Sequence, residues 1–284
     1  MLIANPIYDV VFKYLMDDNK IAKLIISKII NEEIIELIPN PRESFAEKNE
    51  YKNLTIYQLD YSATIKTDDG TKKVLIEIQK AKFLTDIARF RRYIGTQYSD
   101  ENNKYIVNGK EKAMPLICIY FINYGLSDIH VPVLKVARQY VDIATNTVFN
   151  IKNDFIESLT HDAYIIQIKE LPGKRRNELE ILLSIFDQDN RYEDYHILVV
   201  DEDQFSEEYR PIIRRLQKAI ESPNVKNVMN IEDGIYSELK EKDRQLNIQQ
   251  DEILQQQKLI ALKDKEIIEK DRLIKELLGK LNKE

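Results

Sequence analysis

Two segments that alternate between apolar and polar side chains constrain the fold of this chain most strongly. Residues 55–66 and residues 73–80 both show the two-residue period of a β-strand, and Asp68-Asp69-Gly70 lies between them. An Asp-Gly pair between two alternating segments is typical of a tight hairpin turn. The sequence therefore predicts two antiparallel strands that are neighbours in one sheet. It leaves their register open.

The predicted hairpin carries acidic and amide side chains among apolar ones. Glu77 and Gln79 share one face of the second strand, and Asp60 lies on the polar face of the first. If the strands pair, one carboxylate from each can enter the same small volume. Two converging carboxylates and a third polar group are what a divalent cation and an attacking water require. The pattern therefore indicates a nuclease-like site.

The position of Glu77 between two isoleucines allows a second interpretation. A carboxylate in an apolar strand is costly to bury unless it has a partner. A bound metal is one such partner for Glu77, and a lysine such as Lys13 or Lys80 is another. The residue types alone leave both open.

The remaining patterns up to residue 222 predict a mixed α/β domain. We expect helices over residues 5–15, 21–30, 83–102, 175–186 and 206–221, a loop over 39–50, and buried strands over 114–124 and 163–168. The segment 131–150 mixes strand and turn patterns and receives no assignment. Ser222-Pro223-Asn224 is expected to interrupt the chain.

The character of the sequence changes at about Ile231. An apolar residue recurs every seven positions, at Leu239, Leu246, Ile253, Ile260, Ile267, Ile274 and Leu281. A sustained seven-residue repeat predicts a long helix with a coiled-coil seam, here over residues 231–284. The positions three and four residues further on are almost all polar, so the seam is thin. We expect a homo-oligomer, in the simplest case a dimer, and a single solvated helix is the alternative.

Charge and composition limit how the chain could contact nucleic acid. The 284 residues carry a formal net charge of −6, so any DNA contact must come from a local basic face. Residues 72–92 offer such a face, with seven basic residues: Lys72, Lys73, Lys80, Lys82, Arg89, Arg91 and Arg92. A solvated helix face would show the same charges. The position of these residues beside the candidate site favours the binding interpretation.

Cysteine, histidine and hydropathy exclude several other classes. Cys118 is the single cysteine, so no intramolecular disulfide can form, and it lies in an apolar run that predicts a buried core residue. The three histidines show no metal-ligand spacing, which argues against zinc. No signal-peptide pattern or membrane-length apolar run is present, so we expect a cytoplasmic protein without membrane contact.

The order of these features resembles the PD-(D/E)xK nuclease superfamily. A strand aspartate, a hairpin, Glu-x-Gln on the next strand and an arginine-bearing helix follow one another as in that superfamily. The similarity is greatest to its branch of recombination-promoting, transposase-like nucleases, whose start resembles Asp9-x-x-Phe12-Lys13. Residues 76–95 and 159–168 resemble further segments of that branch. The resemblance covers roughly residues 1–220.

This resemblance implies a restriction-endonuclease-like mixed sheet flanked by helices, and a DNA-cutting site. Asp60 and Glu77 would ligate Mg²⁺ or Mn²⁺, and Gln79 would complete the catalytic set. Gln79 stands where many relatives have lysine, so it cannot bring positive charge to the phosphate but can still orient a water. The residues expected to approach the substrate are Arg89, Arg92, Tyr93 and Lys13. Lys80 is adjacent but should point to the opposite face.

Two functions follow from the sequence. The first is a metal-dependent DNA endonuclease of low sequence specificity that dimerises through its C-terminal helix. The second is an inactive nuclease-fold protein that oligomerises or binds partners through that helix. The presence of both Asp60 and Glu77 favours the first, and nothing in the sequence separates DNA from RNA.

Overall fold

A computed structural model of the chain describes residues 1–40, 58–67, 70–81, 87–107, 109–193 and 195–281. The chain divides into a mixed α/β unit, Met1–Met229, and a second unit, Asn230–Glu284, whose described residues belong to one long helix. The expected mixed α/β class and the long C-terminal helix are confirmed. None of the described helices combines the length and the apolar character needed to cross a membrane.

The described elements include twelve strands and seven α-helices, beside short 3-10 turns. The strands are β1 Leu2–Ala4, β2 Ile34–Pro39, β3 Gln58–Thr67, β4 Gly70–Ala81, β5 Lys104–Val107, β6 Lys110–Ala113, β7 Leu116–Ile122, β8 Val133–Val136, β9 Tyr140–Val141, β10 Val148–Phe149, β11 His161–Gln167 and β12 Ile197–Val199. The helices are α1 Asp9–Met16, α2 Asn19–Ile30, α3 Ile87–Ser99, α4 Asp154–Leu159, α5 Glu178–Leu183, α6 Arg210–Ile220 and α7 Pro223–Leu281.

A six-stranded sheet in the order β2-β3-β4-β7-β11-β8 forms the centre of the first unit. β3 and β4 pair antiparallel as predicted, with Thr67 opposite Gly70. Gly70 adopts a φ of 132°, a conformation that side chains with a Cβ rarely reach. β4 then pairs in parallel with β7, and β7 with β11. β4 is therefore an interior strand with a neighbour on each side.

The two faces of this sheet differ in what covers them. Ile76, Ile78 and Phe121 point into the main core together with apolar residues of α1, α2, α5 and α6. Leu75 and Cys118 point to the other face, where Ile94 of α3 packs against them. The alternation of side chains along β4 is confirmed.

Local capping explains where α2 begins and ends. The carboxylate of Asp18 accepts hydrogen bonds from the backbone N–H groups of Lys20 and Ile21, which are free at a helix start. Asn31 ends the helix in the left-handed conformation, with a φ of 56°. α2 thus has defined ends, and its buried residues contribute to the main core.

Several expected boundaries differ in the structure. The apolar run at 114–124 forms the central strand β7, and the unassigned segment 131–150 forms β8, β9 and β10. Parts of the predicted loop, first strand, turn and third helix, namely residues 41–50, 55–57, 68–69 and 83–86, lie outside the described residues. The sequence does not predict β2, because its residues show no clear alternation between apolar and polar side chains. It does not predict the β5–β6 hairpin either, because each of its strands has only four residues and most of β6 is charged.

The last helix begins earlier than the change in sequence character suggests. α7 starts at Pro223, a residue well suited to the first helical turn. Val225 and Met229 are buried in the core of the first unit. Further along, Leu246, Ile253, Ile260, Ile267 and Ile274 are each between 53% and 58% exposed in the single chain.

Candidate active site

The register of the β3–β4 hairpin brings the two predicted acids together. Asp60 lies directly opposite Glu77, and Gln58 lies opposite Gln79. Directly opposed residues of antiparallel strands point to the same face, with Cβ atoms about 4.5–5.5 Å apart. Asp60 is 9% exposed and Glu77 only 1%. The sequence could not decide this register, and the structure resolves it in favour of convergence.

Gln79 holds the carboxylate of Glu77 from the same strand. Its side-chain nitrogen Nε2 donates a hydrogen bond to Oε1 of Glu77, which fixes the orientation of the amide. The amide oxygen Oε1 of Gln79 is buried and has no hydrogen-bond partner among the described residues. A buried polar atom of this kind is an available acceptor or ligand beside the two carboxylates.

Asp60 is held by Gln97 of α3, a residue that the sequence did not indicate as part of the site. Gln97 Nε2 donates a hydrogen bond of 2.9 Å to Oδ2 of Asp60, and both groups are buried. Asn103 Nδ2 donates to Gln97 Oε1 at 2.9 Å, so the amide of Gln97 can only present its nitrogen to Asp60. Phe90, Ile94 and Gln97 share the face of α3 that covers the sheet. In the sequence, the indication is that the polar Gln97 occupies a position on the helix face that otherwise carries Phe90 and Ile94.

The central strand β7 closes the other side of the site. Cys118 is paired with Glu77 and Tyr120 with Gln79 in the parallel register. Burial raises the pKa of the Cys118 thiol to about 12, and the nearby charges of Glu77 and Asp60 act in the same direction. Burial likewise raises the pKa of Tyr120. Both groups therefore stay protonated, and the prediction that Cys118 is a buried core residue is confirmed.

Lys80 belongs to the opposite face of β4, as its place in the alternation predicts. Its Nζ forms an ion pair with Oδ1 of Asp9 at 2.8 Å and donates a hydrogen bond to the Ile7 carbonyl oxygen at 2.6 Å. It also lies 5.1 Å from the centre of the Phe12 ring. Lys80 is 7% exposed, so it adds nothing to a basic surface and instead ties β4 to the start of α1.

The residues expected to approach a substrate are divided between two helices. Arg92 and Tyr93 lie on α3, the helix that supplies Gln97; Arg92 is exposed and Tyr93 is half-buried. Arg89 also belongs to α3, although its side chain lies outside the described part. Lys13 is exposed on α1, which packs against the other face of the sheet. The role of all four in substrate binding stays a prediction.

Comparison of the chain with known proteins finds no relative. No family model matches the chain, and no curated protein or solved structure matches it either. The nuclease interpretation therefore depends on the motif and on the arrangement of its residues.

The oxygen donors at the site suit an ion such as Mg²⁺, which needs few protein ligands, better than a metal that needs a complete set of protein ligands. The described residues contain no group of three or more His, Cys, Asp and Glu side chains placed to hold a metal. Asp60, Glu77 and the amide oxygen of Gln79 supply hard oxygen donors instead. Mg²⁺ usually keeps several waters and is bound through one or two carboxylates together with substrate phosphates. The residues present meet that requirement.

Proposed function

We propose that the chain is a divalent-metal-dependent endodeoxyribonuclease with a restriction-endonuclease-like fold. The single observation that carries the proposal is the direct opposition of Asp60 and Glu77 on one buried sheet face. A pair of carboxylates buried side by side is disfavoured by mutual repulsion, and a cation between them offsets that cost. The function then follows from the ligands that such a cation prefers.

Each polar residue of the site has a role in this proposal. Asp60 and Glu77 would hold Mg²⁺ or Mn²⁺, which when bound lowers the pKa of a water and stabilises negative charge on a phosphodiester. Gln97 keeps the Asp60 carboxylate in place, and Gln79 does the same for Glu77. The free acceptor on Gln79 can take a hydrogen bond from the attacking water.

The substrate in this proposal is DNA, cut with little sequence specificity. The net charge of −6 requires a local contact surface, and the exposed Arg91 and Arg92 on α3 supply basic side chains on the helix that covers the site. Phosphate contacts of this type position a duplex without reading its sequence. We infer a cytoplasmic enzyme of the recombination-associated, transposase-like type, dimeric through α7.

Cleavage of supercoiled plasmid tests the proposal. Purified protein is incubated with Mg²⁺, Mn²⁺ or EDTA, beside the isosteric variant Glu77→Gln. Glu180→Gln is the matched control, because Glu180 is a buried glutamate on α5, which packs against the other face of the sheet. Metal-dependent nicking that is lost in Glu77→Gln and kept in Glu180→Gln supports the nuclease. Equal inertness of folded wild type and both variants overturns it.

A second candidate is an inactive nuclease-fold protein that binds partners through α7. The exposed apolar residues along α7 favour this alternative, since a solvated helix gains nothing from them. The plasmid experiment separates the two, because an inactive protein with an intact dimer would leave only the interaction function.

A further inference from the structure

Two sets of residues lie beside the apolar seam of α7, three and four positions after each seam residue, and we call each set a column. The charged residues in each column have one sign. Three positions after each seam residue come Lys242, Gln249, Gln256, Lys263, Lys270 and Leu277. Four positions after come Asp243, Gln250, Gln257, Asp264, Asp271 and Leu278. A coiled-coil seam needs a second column at one of these two spacings, so either the lysine column or the aspartate column must join the apolar one.

Parallel pairing of two copies would place like charges together in the seam. In an in-register parallel dimer each seam position faces its own counterpart. With the first spacing, Lys242, Lys263 and Lys270 would each face the same lysine of the second copy. With the second spacing, three aspartates would do so. Both choices are destabilising, because like charges would be brought together where water is excluded.

Antiparallel pairing removes this conflict. When the two helices run in opposite directions with Lys258 at the centre, the column that contains Lys242, Lys263 and Lys270 faces the apolar column of the second copy. Lys263 then meets Ile253, and Lys242 meets Ile274. A lysine can lay its aliphatic stem along an isoleucine and keep its ammonium group in water.

The ends of α7 match in the same alignment. Ile235 and Leu239 mark an apolar stretch near its start, and Leu277 and Leu281 mark another near its end. These positions lie at nearly equal distances on either side of Lys258. Antiparallel pairing about that centre therefore brings the apolar start of one helix against the apolar end of the other.

We propose that α7 binds a second copy of itself in antiparallel orientation, with residue 258 near the twofold axis. The inference rests on the dimer that we proposed above but not on the cleavage activity. At 1.5 Å per residue, the two Met229 residues at which the mixed α/β units end would lie about 87 Å apart.

Spin-label distances measured in full-length protein test the orientation. Nitroxide labels are attached in a Cys118→Ala background at Lys240→Cys or at Lys258→Cys, both exposed positions of α7 outside the seam. Antiparallel pairing predicts a separation of about 54 Å at position 240, from a rise of 1.5 Å per residue. Parallel pairing predicts a separation within about 25 Å there, because paired helix axes lie about 8–10 Å apart.

Position 258 is the control, since it gives a short distance in the antiparallel dimer. A long distance at 240 together with a short one at 258, in a protein that sediments as a dimer, supports the proposal. Short distances at both positions overturn the orientation and leave the dimer intact. A monomer, or a dimer without dipolar coupling at position 258, overturns pairing through α7 itself; the plasmid assay is read independently of all these outcomes.

Discussion

The side chain of Gln97 contacts Asp60 through a buried hydrogen bond of 2.9 Å that joins α3 to the sheet. Asn103 sets the orientation of the Gln97 amide, because Asn103 Nδ2 donates both to the side-chain oxygen Oε1 and to the backbone carbonyl oxygen of Gln97. The carboxylate that the sequence marks as a metal ligand is therefore held by a chain of two amides. These hydrogen bonds restrict the Asp60 carboxylate to one orientation, which is what a second layer of hydrogen bonds does for carboxylates that bind metal ions.

Replacing Gln97 by leucine is expected to weaken both folding and cleavage. The buried Asp60 loses a donor, which should lower the free energy of unfolding by about 1.5–3 kcal/mol. With Asp60 as a metal ligand, as we propose, the cleavage rate should also fall about 10- to 100-fold, which is typical when a residue that orients a metal ligand is removed. Thr96→Ala is the control, because Thr96 is exposed on the same helix. Urea unfolding and plasmid nicking measure the two effects, and an unchanged unfolding energy would contradict this account.

Replacing Lys80 by methionine is expected to destabilise the fold without removing a catalytic group. The change removes the ion pair of 2.8 Å that Lys80 makes with the Asp9 carboxylate inside the fold, at a cost of about 3 kcal/mol. The double variant Asp9→Asn with Lys80→Met should recover part of this loss, which a double-mutant cycle in urea measures. A coupling energy of zero would show that the pair does not contribute.

Cys118 is expected to be unreactive in the folded protein. The thiol is fully buried and burial raises its pKa to about 12, so almost no thiolate exists near neutral pH. A thiol reagent should therefore modify Cys118 only after unfolding in urea. The Lys240→Cys variant provides an exposed thiol as the internal control. Fast reaction of Cys118 in native protein would show that the site opens.

Stability is expected to fall in mild acid because of His161. Burial and the charge of Arg138 lower the pKa of His161 from its ordinary value of 6.5, and Tyr98 Oη lies 3.0 Å from its Nδ1. The unfolded chain then binds a proton more readily than the folded one. The contribution is present above pH 6.5 and is lost as the pH falls through the lowered pKa.

Urea titrations between about pH 8 and pH 5 measure this dependence. The variant His161→Asn should lose stability less steeply over that interval than wild type. The exposed His130 provides the control substitution, His130→Asn. An identical pH profile for wild type and His161→Asn would contradict the assignment.

The sequence predicts those features of the site that depend on neighbouring residues. The two-residue period places Ile76 and Ile78 on one face of β4 and Glu77 and Gln79 on the other, and the structure confirms it. The apolar run around Cys118 likewise predicts an interior strand. Such patterns are local, because each side chain needs only its position along one strand.

The register and the helix contact depend on distant residues and could not be predicted. The opposition of Asp60 and Glu77 belongs to the register in which Thr67 pairs with Gly70, and a shift of one residue would change every pair. Gln97 is 37 residues from Asp60 in sequence, and no local pattern relates them. The charged β5–β6 hairpin was missed for a similar reason, because its four-residue strands are too short to show a period.

The ion pair between Lys80 and Asp9 has a consequence for the carboxylates on the other side of β4. If β4 slipped by one residue, Glu77 and Gln79 would enter the apolar core and Lys80 would swing away from Asp9 toward α3. Loss of the Lys80–Asp9 ion pair therefore adds to the cost of the misaligned hairpin. Under the function that we propose, a residue outside the site would in this way keep the two carboxylates on the face that meets the substrate.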